Sequence, residues 1–96
     1  MEARVATNTV QPGKMDEIIK TLRAAMPLVK KQKGFKGVYF LTNRDTGKAV
    51  WITMWNSEAD LKAALNSEAS REQGAKVGPL FVGPSTSKEY EVSLKG

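Results

Sequence analysis

Residues 3 to 11 alternate loosely between polar and apolar, and Val5, Thr7, Thr9 and Val10 favour extended backbone, so the chain opens with a strand. Pro12-Gly13 then turns it, because proline presets φ and glycine accepts a positive one. From Lys14 to Lys33 the period becomes helical: Met15, Ile18, Ile19, Leu22, Met26 and Val29 form one apolar stripe. Asp16 and Glu17 in the first turn, and Lys30, Lys31 and Lys33 in the last, complement the helix dipole. Pro27 falls inside this helix and predicts a kink about one turn before it, and Gly34 is the expected stop.

Phe35 to Asp45 and Lys48 to Asn56 are rich in aromatic and β-branched residues and are joined by Asp45-Thr46-Gly47, which predicts a hairpin of strands 2 and 3. Ser57 with Asp60 three residues on resembles a capping box for a second helix carrying Leu61, Ala64 and Leu65. Ser67 caps a further helical piece holding Ala69 and Arg71, and Gly74, Gly78, Pro79, Gly83 and Pro84 are expected to break up the next stretch of chain. Tyr90, Val92 and Leu94 alternate with Glu89, Glu91 and Ser93, so the last strand is expected over Lys88 to Leu94. The order β-α-β-β-α-β is the ferredoxin-like arrangement, an α+β fold with an antiparallel sheet and helices on one face. Residues 1–96 are read as a single domain, with no repeat, linker or low-complexity tract.

Strands 2 and 3 do not alternate apolar with polar, as a sheet with one wet face would. Alternation places Val38 and Phe40 on one face of strand 2, and Phe35, Tyr39 and Leu41 on the other. On strand 3 it separates Val50, Ile52 and Met54 from Trp51 and Trp55. Helices cover one face only. Taking Trp51, Trp55, Phe35, Tyr39 and Leu41 as the uncovered set, the exposed area exceeds the few hundred Å² tolerated on a soluble monomer. A second copy of the sheet covers it most simply, so a homodimer packed sheet to sheet is expected.

Composition narrows the chemistry sharply. The chain has no cysteine and no histidine. A thiol nucleophile, a disulfide, an Fe–S cluster, a zinc finger, a histidine base and a histidine-ligated haem are thereby excluded. Tyr39 and Tyr90 are the remaining oxygen ligands for haem iron, and no other feature prepares such a site. Fifteen Lys and Arg against ten Asp and Glu give a net charge of +5. Lys30, Lys31, Lys33 and Lys36 read as the solvated end of a helix rather than a nucleic-acid surface, since strand 2 lacks the glycine and spaced aromatics of an RNA-binding sheet. There is no phosphate loop and no dinucleotide fingerprint. No apolar stretch approaches bilayer length and the N-terminus lacks a signal-peptide core, so no membrane and no nucleic-acid partner is expected, and the cytoplasm is the expected compartment.

Four stretches carry a resemblance: VQPGKMDEII after strand 1, GFKGVYF leading into strand 2, ITMWNSEADLKAALNS across strand 3 and the second helix, and the final KEYEVSL. The chain resembles the antibiotic biosynthesis monooxygenase family of dimeric α+β barrels along essentially its whole length. The resemblance implies a homodimer with a pocket in each subunit between sheet and helices. It also implies oxygenation of a small aromatic or quinol-type compound by O₂, with no metal, flavin or other cofactor. A strand-end tryptophan shapes the pocket in the family's haem-degrading branch, and Trp55 matches that setting. An asparagine on strand 1 is matched by Asn8, offset in register against Pro12-Gly13.

Trp55 and Asn8 are therefore the candidate catalytic residues, and Tyr39, Arg71 and Phe40 the candidate substrate contacts. An indole offers a flat wall and one N–H donor, and a buried Asn amide must find partners that a substrate oxygen can supply. Trp55 shares parity with Trp51, so bringing it to a cavity with Asn8 requires a twist or bulge at the strand end. Glu68 and Glu72 are expected on the helix surface, and no general base stands out. The alternative is a non-catalytic dimeric domain that binds a small molecule. Haem degradation is disfavoured because nothing replaces the proximal histidine.

Overall fold

The computed structural model describes residues 1–96. Its elements are β1 (Glu2–Val10), α1 (Met15–Lys30), β2 (Phe35–Asn43), β3 (Lys48–Trp55), α2 (Glu58–Leu65), α3 (Glu68–Val77), a 3-10 turn at Gly78–Leu80, and β4 (Phe81–Glu91). The four strands form one antiparallel sheet in the order β2-β3-β1-β4. This is the ferredoxin-like βαββαβ fold, with the second helical segment split in two.

The split comes from two serines. The Ser57 side chain accepts from the Asp60 N–H at 3.2 Å and starts α2, and that of Ser67 accepts from the Ser70 N–H at 3.2 Å and starts α3. Each satisfies a donor that the first helical turn leaves free. Gly74 does not break α3, which continues to Val77. Helix α1 contains the whole apolar stripe but is shorter at both ends than the expected Lys14 to Lys33, and it runs through Pro27. Pro27 is exposed, so the carbonyl that its ring deprives of an N–H lies on the solvent side.

Strand β4 departs most from expectation. It begins at Phe81 and ends at Glu91, so Gly83 and Pro84 are inside it and Val92 to Leu94 are not. β4 is an edge strand, where proline costs no ladder bond. The β1–β4 register shifts between Thr7 and Thr9, and Gly83 takes φ +71° in the same stretch. The regular alternation of Tyr90, Val92 and Leu94 is not a buried stripe: Leu94 is 92% exposed.

Register also corrects the face of the tryptophans. Ala6 pairs with Trp51, Arg4 with Thr53 and Asn8 with Ala49, while Phe40 pairs with Trp51 and Val38 with Thr53 on the other side of β3. Directly paired residues share a face. Trp51 and Trp55 therefore lie with Phe40 on the helix side, not on the open side. A bulge between Phe35 and Gly37 shifts β2 by one residue and turns Phe35 onto that face as well. The irregularity expected for the end of β3 thus lies on β2, and it moves the phenylalanine rather than Trp55.

The open face remains apolar with a different membership. Val50, Ile52 and Met54 of β3 lie beside Tyr39 and Leu41 of β2 and Tyr90 of β4. Tyr39 is 61% exposed, and Leu41 and Tyr90 are each 51% exposed.

Gly34 holds the α1–β2 corner against the start of α2. Its φ is +79°, its carbonyl accepts from the Asn56 N–H at 2.7 Å, and a Cβ there would overlap the Asp60 carboxyl group. Gly34→Ala should cost about 1–3 kcal/mol from the left-handed backbone alone. Urea denaturation measures this, and an unchanged midpoint would show that the corner relaxes freely.

Candidate functional site

The helix side of the sheet buries two separate apolar clusters. One unites Val10, Met15, Ile18, Leu22, Ala49 and Val77, with Trp51 and Phe40 packed against it. The other is Trp55 with Leu61 and Ala64, flanked by Phe35 and Leu65. Between them the sheet presents Arg4, Ala6 and Asn8 on β1, with Thr53 opposite Arg4 on β3. These side chains are small or polar, so the helices find nothing apolar to close on. The result is a cavity of about 770 Å³ between sheet and helices, within the range of small-molecule sites. Trp51, Trp55 and Phe40 wall it, Leu22, Val29 and Leu61 roof it, and the exposed Ser85 and Ser87 of β4 stand at its edge.

Trp55 is 4% exposed and meets the Phe35 ring edge-on, with centroids 5.6 Å apart at 80°. Its Nε1–H donates to Thr53 Oγ1 at 3.0 Å. The indole donor is therefore spent inside the protein, and Trp55 offers a flat wall rather than a hydrogen bond. Thr53 accepts that bond and keeps its own hydroxyl hydrogen free to donate. Thr53 is 5% exposed and lines the cavity, which makes it the donor that the indole is not. Asn8 is 8% exposed and lines the same cavity. It sits where the β1–β4 register shifts, so no residue of β4 pairs directly with it.

The other expected contacts divide. Phe40 lines the cavity and meets the Trp51 ring with centroids 5.8 Å apart. Tyr39 does not line it, because its parity puts it on the open face of the sheet. Arg71 does not line it either: its Nη2 donates to the Asn66 carbonyl at 3.0 Å and serves the end of α2. Of the two glutamates, Glu72 is at the cavity with Glu17 of α1, and both are exposed. No three acidic side chains gather into a metal-binding group.

Two cavity residues escape a reading of the sequence alone, Thr53 and Arg4. Thr53 is hidden by strand propensity, since threonine in a strand is unremarkable. Arg4 carried a signal: it shares parity with Asn8 in a strand whose same-face neighbours are Ala6 and Val10. Its Nε is buried and has no hydrogen-bond partner. Burial lowers the Arg4 guanidinium from its ordinary pKa, and Glu89, its partner across the β1–β4 pair, acts in the opposite direction.

An apolar slot over a row of polar groups thus lies within a ferredoxin-like α+β sheet-and-helix layer. The chain belongs to the antibiotic biosynthesis monooxygenase family, whose sequence model matches residues 1–75. The match includes β1, β2, β3 and α2 and ends inside α3. Solved structures share the fold. A Nitrosomonas europaea protein that bears the family's name is 14% identical with a TM-score of 0.85, over 98% of this chain and 100% of that one. Rv0793 from Mycobacterium tuberculosis is 18% identical with a TM-score of 0.82, over 98% and 96% of the two chains. A mutant of SnoaB, a cofactor-independent oxygenase from Streptomyces nogalater, is 18% identical with a TM-score of 0.83, over 98% and 94%. No curated protein matches the sequence.

Removing the acceptor of a buried indole N–H should be costly. Thr53→Val keeps the shape and is expected to lose about 1–3 kcal/mol, while Thr53→Ser keeps most of the stability. Chemical denaturation of the two variants compares them. Equal loss in both would mean that the methyl group, not the hydroxyl, holds Trp55.

Proposed function

We propose that the protein oxygenates a small, flat aromatic or quinol-type compound with O₂, without a metal or flavin, as a homodimer. The observation that carries the reading is the cavity itself: aromatic walls on a sheet floor that carries the polar residues Asn8, Arg4 and Thr53, in a chain of this family. The kinship in fold to a cofactor-independent oxygenase supports it.

The chemistry suits these residues. A flat ring slides between Trp55 and Phe40, which cover its faces, while the exposed rim of the cavity stays open to solvent. Once a ring hydroxyl is deprotonated, the ring becomes the electron donor to O₂. O₂ then adds to a ring carbon that bears one hydrogen, ortho or para to the oxyanion, and the adduct takes up a proton to become a hydroperoxide. Loss of water from the hydroperoxide leaves a carbonyl, so one oxygen atom stays in the product and the other departs in water. Thr53 pairs with Arg4, four residues along β1 from Asn8, so the two offer donors to different oxygens of the ligand, and a donor placed where oxyanion charge develops is the largest contribution a protein makes to such a step. Phe40 and Trp51 position the ring without chemistry of their own.

A second reading has a specific observation behind it. The carboxylates at the cavity, Glu17 and Glu72, are exposed, and none lies among the buried floor residues. A domain that binds the same flat compound without turning it over needs no base. Oxygen uptake with polycyclic phenols and hydroquinones, combined with ¹⁸O₂ labelling of the product, separates the two. Incorporation of one labelled atom supports the oxygenase. Saturable binding with no uptake supports the binding domain. Asn8→Ala should lower turnover roughly 100-fold while the ring still binds.

The dimer uses the open sheet face, where Ile52 is central between Val5 and Tyr39. Ile52→Glu should convert the dimer to monomer in sedimentation equilibrium at micromolar concentration. A wild-type mass of one chain would overturn the dimer. Trp51→Glu, on the helix side, reports on the core instead.

A further inference from the structure

The floor of the cavity holds a cation with nothing to bind. Arg4 sits on β1 between Thr53 of β3 and Glu89 of β4. None of the chain's three ion pairs includes it; they join Lys14 to Glu17, Arg44 to Asp16 and Lys62 to Glu58. Its Nε is fully buried and unpartnered. Glu89 is exposed at the edge strand and does not come within ion-pair distance. Guanidinium stays charged under all ordinary conditions, and a half-buried charge with an orphaned donor is costly unless something satisfies it.

We infer that Arg4 anchors an oxyanion of the ligand, so that the cavity takes a flat phenol or enol and holds it as its anion. This rests on the proposed reading of the cavity and names its substrate class. The surroundings favour a phenolate or enolate over a compact inorganic anion. The walls are aromatic and flat, and the polar row is narrow, so a single oxygen can meet Arg4 and Thr53 while its ring stays between Trp55 and Phe40. The inference also answers the missing base. A cation fixed beside the hydroxyl lowers the hydroxyl's own pKa, and the O–H proton can then leave to bulk water while the electron pair stays on oxygen. No buried carboxylate is required.

Charged groups face Arg4 from several elements. Glu89 of β4 opposes Arg4 across the strand pair, Glu2 of β1 and Glu91 of β4 lie on the same face one pair further along, and Lys62 of α2 acts on Glu89. Glu17 and Lys20 of α1 and Glu72 and Lys76 of α3 also line the cavity, two acidic against two basic. None of the carboxylates comes within ion-pair distance of Arg4, whose buried Nε stays unpartnered.

Two probes of one shape test this: 4-nitrophenol, whose anion is yellow and whose acid is not, and 4-nitroanisole, which cannot ionise. Bound to the protein, 4-nitrophenol should titrate at least about one pKa unit lower than in water. In Arg4→Gln that shift should disappear and affinity for the anion should fall about tenfold or more, while 4-nitroanisole binds within about twofold of wild type. Arg4→Lys should recover part of the shift. The wild-type shift is read without any variant, so misfolding of Arg4→Gln cannot hide the answer. If both probes bind and the bound phenol titrates as in water, the inference about Arg4 is overturned and the cavity reading stands. If neither probe binds the wild-type protein, the cavity reading falls and takes the inference with it.

Discussion

Three helices must roof a sheet whose central row offers them almost nothing apolar to grip. Arg4, Ala6 and Asn8 succeed one another on the helix side of β1, and Thr53 stands beside Arg4 on β3. Apolar burial drives helix docking, so the helices close at the two ends where Val10, Ile18, Leu22 and Leu61 supply it and stand off in the middle. The cavity is the outcome of that distribution rather than a later carving of a filled core. With the middle of one face open and the other face uncovered, only 14 of 96 residues are buried.

The same row shapes the space. Small side chains make room, Trp51, Trp55 and Phe40 make flat walls, and the polar groups converge from below. Trp55 is tied down by its bond to Thr53, which fixes the plane of the wall and leaves a hydroxyl donor beside it. A pre-fixed wall and pre-fixed donors lose little freedom when a ligand arrives. The cost falls on stability, in the form of a half-buried Arg4 and an incompletely filled interior.

Much of this was legible in the sequence. The strand and helix periods, the two serine caps and the Asp45-Thr46-Gly47 turn all point to the βαββαβ order, because each is a local preference that the tertiary structure does not oppose. Alternation within β3 correctly separated Trp51 and Trp55 from Val50, Ile52 and Met54. Which of those sets faces the helices depends on register against β1 and on a one-residue bulge in β2, and neither leaves a clear local trace. Tyr39 lies on the open face, where alternation within β2 puts it, and therefore outside the cavity. Gly83 and Pro84 look like breakers in the sequence, and only the edge position of β4 makes them tolerable inside a strand. Asn8 was visible as a polar residue in an apolar strand. Arg4 was visible in the same way, yet an arginine near a chain start reads as surface until its neighbours are known.

The central claim is that the middle of the sheet's helix face is open space rather than packed core, and Ala6→Leu tests it most directly. Ala6 lies between Arg4 and Asn8, lines the cavity and is 7% exposed. If the space is open, the leucine enters it without strain: the urea midpoint holds or rises, and binding of a flat ring such as 4-nitroanisole weakens. If the centre is already packed, the added methylenes force strain and cost about 1–3 kcal/mol. A lowered midpoint with ring binding unchanged would contradict the account.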